Sequence, residues 1–175
     1  MRVKIICLIL GLIVAVPSNA GTENLYIGAS YLNSNTEFSG YSDDVDGYEL
    51  DLGYSFSKHF AAEVSYFDLG NLQLPSIPDA GGNIDSDGVS LQIVAKLPIN
   101  KFTLYGKFGN LWWDQDVLLN TIAGPIRQDT NGNDLIYGIG FGYAVTPHLT
   151  VGLEFKATDF GDNSTFSSLG MSYHF

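Results

Sequence analysis

The stretch DGYELDLGYSF, residues 46–56, places Tyr48, Leu50, Leu52, Tyr54 and Phe56 on one side of an extended chain and Glu49, Asp51, Gly53 and Ser55 on the other. A period of two over this length predicts a β-strand. The pattern alone leaves two assignments open. In a half-buried soluble strand the apolar side meets the core, whereas in a strand facing lipid it points outward.

Similar segments recur along the chain and predict strands at 23–33, 46–57, 59–69, 88–98, 101–113, 134–145, 148–158 and 166–175, separated by Gly, Pro, Asn and Asp clusters. The five prolines beyond residue 20, Pro75, Pro78, Pro98, Pro125 and Pro147, fall at predicted ends or connections, where no ladder hydrogen bond is lost. Short connections follow the second, fourth and sixth strands; longer ones, at roughly 34–45, 70–87, 114–133 and 159–165, follow the first, third, fifth and seventh. An even strand number with short turns at one end and long loops at the other predicts an all-β, eight-stranded antiparallel up-and-down transmembrane barrel. No helical period, internal repeat or linker interrupts it, so a single domain is expected.

The apolar sets decide the facing. Leu91, Ile93, Ala95 and Leu97, or Leu135, Tyr137, Ile139, Phe141 and Tyr143, alternate with Gly, Ser and a few charged residues, and their aromatic members gather toward strand ends. Turned inward, so many large rings would overfill a narrow eight-stranded interior; turned outward, they form an apolar band with aromatic girdles. The alternative is a soluble, lipocalin-like periplasmic carrier with the apolar sets inside.

The N-terminus changes the compartment rather than the fold. Arg2 and Lys4 precede an apolar run from Ile5 to Val16, and Pro17-Ser18-Asn19-Ala20 follows. This run is too short to span a membrane as a helix and reads as a cleaved signal peptide over residues 1–20, with the barrel over 21–175. Cys7 lies inside the signal, so neither disulfides nor cysteine metal sites are expected beyond it. Loss of Arg2 and Lys4 lowers Lys+Arg from 8 to 6 against 19 Asp+Glu, which excludes nucleic acid as an expected partner.

With these features in place, YIGASY, LGYSFSKHFAAEVSYFDLG, LYGKFGNLWWD, YGIGFGYAVTPHLTVGLEF and SLGMSYHF resemble the strands of OmpA-like outer-membrane β-barrel domains, in the same order. The resemblance implies location in the outer membrane of a Gram-negative bacterium. It also implies lipid and lipopolysaccharide around the barrel, and a C-terminal strand whose Tyr173 and Phe175 are read by the barrel assembly machinery. Many relatives carry a periplasmic peptidoglycan-binding domain after the barrel; a barrel-only member is the expectation here.

The inward face carries the candidate chemistry: Glu49, Asp51, Glu63, Lys96, Lys107, Glu154 and Lys156. Charges in a narrow lumen must pair, because an unpaired buried charge costs several kcal/mol. Glu63 and Lys96 are expected to pair near the short-turn end, with Lys107 and Glu154 at mid-height, and Glu49 and Asp51 higher as candidate partners for Lys107 or Lys156. A structural polar core is the main expectation and a narrow gated pore for small solutes or ions the alternative. Acidic clusters at 43–46, 85–87, 114–116 and 129–134, with Asp159 and Asp162, fall on the long-loop side and suggest a surface ligand. Residues 129–134 follow a calcium-loop spacing only in part, so no metal site is expected. His59, His148 and His174 all fall at the short-turn end, away from the outer leaflet, so neither an enzyme nor a cofactor is expected. Trp112-Trp113 and the apolar stretch 72–78 fit either a contact patch for a host or protein partner or girdle and loop packing, which explains them at least as well.

Overall fold

A computed structural model describes residues 24–38, 41–77, 80–121, 124–158 and 164–175. The expectations for residues 1–20, Asp159 and Asp162 therefore lie outside the described residues, and of 72–78 only the backbone of 72–77 is described. The chain forms eight strands: β1 (Leu25–Phe38), β2 (Tyr41–Ser55), β3 (Phe60–Ile77), β4 (Ala80–Ile99), β5 (Phe102–Thr121), β6 (Gly124–Ala144), β7 (Leu149–Thr158) and β8 (Ser164–His174). Each pairs antiparallel with its chain neighbours, and β8 returns to β1 in the register Tyr26↔His174 to Asn35↔Thr165, closing the barrel. Closure leaves no open sheet edge, as a strand-built membrane span requires.

The alternation sorts residues as a lipid-facing barrel needs. Ile27, Leu50, Ile93, Leu104, Ile139, Phe155 and Met171 point outward and are exposed, Ile139 by 66%. Aromatic rings edge this band. Phe102 and Tyr143 lie 5.1 Å apart, and Tyr173 and Phe175 5.2 Å apart, at the short-turn end; Tyr31, Tyr48, Trp112 and Tyr137 lie outward toward the other end. The apolar sets thus face the opposite way from a soluble carrier's.

The short turns are built locally. In Ser57-Lys58-His59-Phe60 the Ser57 hydroxyl accepts hydrogen bonds from the amides of His59 and Phe60 at 3.2 and 3.0 Å. In Thr146-Pro147-His148-Leu149 the Thr146 hydroxyl does the same for His148 and Leu149, at 3.3 and 3.0 Å. These Ser/Thr turns replace backbone partners lost at the reversal. Between β4 and β5 the chain reverses in Asn100-Lys101, with Asn100 in the left-handed region at φ 57°, which Asn tolerates.

The long connections differ from the sequence expectation, because most of their residues are strand. The β4–β5 ladder runs without a break from Ile99↔Phe102 to Gly82↔Leu119, and β5–β6 continues to Thr121↔Gly124. With 20 residues in β5 and 21 in β6, these strands are about twice the 9–11 that cross a membrane. Once the lipid-facing part fixes the register, each further pair satisfies backbone groups regardless of side chain, so polar, Asp-rich sequence remains in the sheet. Pro75 accordingly lies within β3 rather than in a connection, where the β3–β4 register shifts between Leu74 and Ile77. A ladder irregularity is where a sheet accepts a missing N–H.

Candidate functional site

Five inward residues from four strands meet in one buried ionic chain. Lys107 of β5 lies 2.5 Å from Glu63 of β3 and 2.9 Å from Glu154 of β7. Lys156, two residues beyond Glu154, pairs with Glu49 of β2 and lies 3.4 Å from the second oxygen of Glu154. The order is Glu63–Lys107–Glu154–Lys156–Glu49, each lysine held between two carboxylates. Its members are at most 7% exposed in their side chains. Apart from the step along β7, every link joins strands that are not sheet neighbours, so the chain runs through the lumen rather than along the wall.

Two tyrosines support it from below. Tyr26 donates its hydroxyl to Glu63 Oε2 at 2.8 Å, and Tyr105 donates to Glu154 Oε2 at 3.4 Å. Each ring lies over a glycine directly opposite in the ladder, Tyr26 over Gly53 and Tyr105 over Gly140, where a Cβ would collide with the ring. These glycines make room for rings laid across the neighbouring strand. A large side chain can then lie along the wall of an interior otherwise too narrow for it.

Two expected members stay out of the chain. Lys96 does not pair with Glu63: its ammonium donates to Ser55 Oγ at 2.8 Å and lies 4.6 Å from the centroid of the Tyr26 ring. Strand numbering set Glu63 and Lys96 at one depth, yet the observed register puts Glu63 opposite Gln92 and Lys96 opposite Tyr105. Lys107, reaching across the lumen, takes the carboxylate instead. Asp51 pairs with neither Lys107 nor Lys156, and its Oδ1 is buried without a hydrogen-bond partner.

Above the ionic chain the interior turns apolar. Leu32, Phe67, Leu111 and Ile136 form a buried cluster, with Leu69 and Trp113 packed against it. Phe67 also offers its ring to Lys156 at 5.0 Å, joining the two layers. The void within this plug is only about 10 Å³. Below, a cavity of about 290 Å³ reaches from Asp51, Glu63 and Lys107 past Lys96 to Pro147 and His174 at the short-turn end. Among the described residues the cavity thus lies on the short-turn side of the apolar cluster.

The alternation assigns small and charged residues to the interior, and by itself it shows neither the plug nor the two tyrosines. A signal for the plug existed: at Tyr31-Leu32, Tyr66-Phe67, Leu111-Trp112 and Leu135-Ile136 the alternation gives way to adjacent large apolar residues, so one of each pair must point in. Trp112 faces out, whereas Trp113 faces in and donates its indole N–H to Asp134 Oδ2 at 2.6 Å. Tyr173 and Phe175 are outward on the closing strand, where the Phe175 amide donates to the Leu25 carbonyl at 3.1 Å. The histidines are turn fittings: His59 Nδ1 lies 3.2 Å from the Lys96 carbonyl and His148 Nδ1 2.8 Å from that of His174. Among the described residues no group of three or more His, Cys, Asp or Glu is arranged to hold a metal ion.

A closed eight-stranded barrel with an apolar outer belt, aromatic rims and a polar, ion-braced lumen has counterparts among known proteins. Outer membrane protein A of Shigella flexneri is 30% identical over 138 residues, a match covering 70% of this chain and 38% of that protein. The chain thus spans well under half the length of this relative. The crystal structure of Ail, the attachment invasion locus protein of Yersinia pestis, in complex with the heparin analogue sucrose octasulfate, superposes with a TM-score of 0.68 at 20% identity, covering 87% of this chain and 99% of that one. Neisserial surface protein A superposes with a TM-score of 0.62 at 16% identity, over 86% and 97% of the two chains. The sequence pattern of the outer membrane protein beta-barrel domain matches residues 5–175, nearly the whole chain, and with the fold this places the protein in the outer membrane as a member of that beta-barrel family.

Proposed function

We propose that this barrel is a closed outer-membrane platform: the ionic chain and plug stabilise it, and the strands beyond the upper girdle meet partners outside the cell. The observation that carries this reading is the plug. Leu32, Phe67, Leu111 and Ile136 close the lumen above the ionic chain, which supports a structural or surface role over the alternative of a narrow gated pore. The test is the unmodified protein in a planar bilayer. A silent bilayer is expected, and discrete conductance steps would favour the pore instead.

The composition of the extended strands indicates the partner's charge. Register aligns Asp68, Asp87 and Asp114 across β3, β4 and β5, and Asp85, Asp116 and Asp129 across β4, β5 and β6. Arg127 is the only Lys or Arg between Lys107 and Lys156, the stretch holding the β5–β6 hairpin. Ail was solved with a polyanion; this acidic surface instead suits a basic protein segment, or lipopolysaccharide phosphates bridged by divalent cations. Tyr173 and Phe175, outward at the end of the closing strand, suit recognition by the assembly machinery.

A further inference from the structure

We propose that the cavity below the ionic chain is a periplasm-facing receptor for an extended dipolar molecule about as long as a three- or four-residue peptide, with its carboxylate on Lys96 and its ammonium on Asp51. Both residues line the same cavity of about 290 Å³. Among the carboxylates and lysines that line this cavity, they are the two outside the ionic chain. Asp51 Oδ1 is buried without a hydrogen-bond partner, while Glu49, Glu63 and Glu154 each face a lysine. Among the described residues the Lys96 ammonium donates to the Ser55 hydroxyl, a neutral acceptor, and no carboxylate lies within 4 Å of it.

The two charges are too far apart to satisfy each other. Ser55, which marks the position of the Lys96 ammonium, is four residues from Asp51 along β2. At about 3.3 Å per residue this is roughly 13 Å. An extended peptide advances about 3.3–3.6 Å per residue, so three to four residues place their terminal charges at that separation. A single amino acid reaches one anchor only. At the short-turn end of the cavity Thr103 and Thr150 present hydroxyls that can serve peptide groups, and Gly142 and Gly152 leave the wall bare, with room for small side chains. The open end lies among the short turns, and the plug closes the other end, so a ligand that enters must leave the way it came.

The test titrates the full chain, refolded in nanodiscs, with tri-alanine and tetra-alanine at millimolar concentration, following amide chemical shifts of cavity residues. Saturable binding is expected, weakened about tenfold or more when the peptide is N-acetylated or C-amidated, since each change removes one charge-assisted contact. Lys96→Met should abolish discrimination against the amide, and Asp51→Asn discrimination against the acetylated peptide, both variants keeping the folded barrel's heat-dependent gel migration. If a variant does not fold, the blocked peptides on the unmodified protein test the same two anchors. The proposal is overturned if the peptides give no saturable shift, if alanine alone binds as well, or if blocking either terminus leaves affinity unchanged.

Discussion

The lower and upper halves of the lumen are lined by the same strands in one continuous register, yet they are filled in opposite ways. Below, carboxylates and ammoniums cross the space, two tyrosines lie over glycines, and a cavity remains. Above, Leu32, Phe67, Leu111 and Ile136 close the space with almost no void. The upper half resembles the core of a soluble protein and needs only volume. The lower half needs complete pairing, because in a low-dielectric interior each charge must be matched or its burial is not recovered. On the proposed reading, closure and bracing are separate tasks of separate layers, joined where the Lys156 ammonium meets the Phe67 ring.

The largest way to break this arrangement is at the centre of the ionic chain. Lys156→Met leaves Glu49 buried with no cation and should destabilise the barrel by about 3–5 kcal/mol. Urea unfolding followed by heat-dependent gel migration measures this, and a companion Glu49→Gln substitution should recover part of the loss. If Lys156→Met alone unfolds like the unmodified protein, the chain does not brace the barrel.

In the plug, Phe67→Ala removes a ring that is 2% exposed, at a cost of about 3–5 kcal/mol by cavity formation, less where the site collapses. The informative readout is conductance: if the plug is the closure, Phe67→Ala combined with Leu111→Ala should give currents absent from the parent. A variant that is less stable but still silent would assign closure to the ionic chain instead.

Smaller effects sharpen the division. Tyr26→Phe loses one hydrogen bond to a charged acceptor, while the ring remains over Gly53, and should cost about 1.5–3 kcal/mol in unfolding measurements. Lys96→Met removes a cation whose polar contact is a serine hydroxyl and should cost about 1 kcal/mol or less. Equal losses at Lys96 and Lys107 would mean that both lysines belong to one network.

The outward face was legible in the sequence because lipid imposes one rule on every second residue, and that rule shows in DGYELDLGYSF without any partner strand. The inward charged residues were legible as a set for the same reason. Their partners were not. Glu63 meets Lys107 rather than Lys96, since a link across the lumen depends on stagger, side-chain reach and the space cleared by glycines such as Gly53 and Gly140. Strand length was underestimated because Asp, Asn and Thr read as loop, whereas a ladder already in register extends through them to pair its backbone.

The sequence by itself determined a periodic code: eight alternating segments, small and charged residues on one face, apolar residues on the other, and adjacent large apolar pairs where the interior closes. The tertiary structure alone decided which carboxylate holds which lysine, that Asp51 and Lys96 stand outside the ionic chain, and that an apolar cluster fills the interior above it. The physical reason is distance along the chain. Facing is set by neighbours two residues apart, whereas Lys156 and Glu49 are separated by 107 residues and meet only when β8 closes on β1.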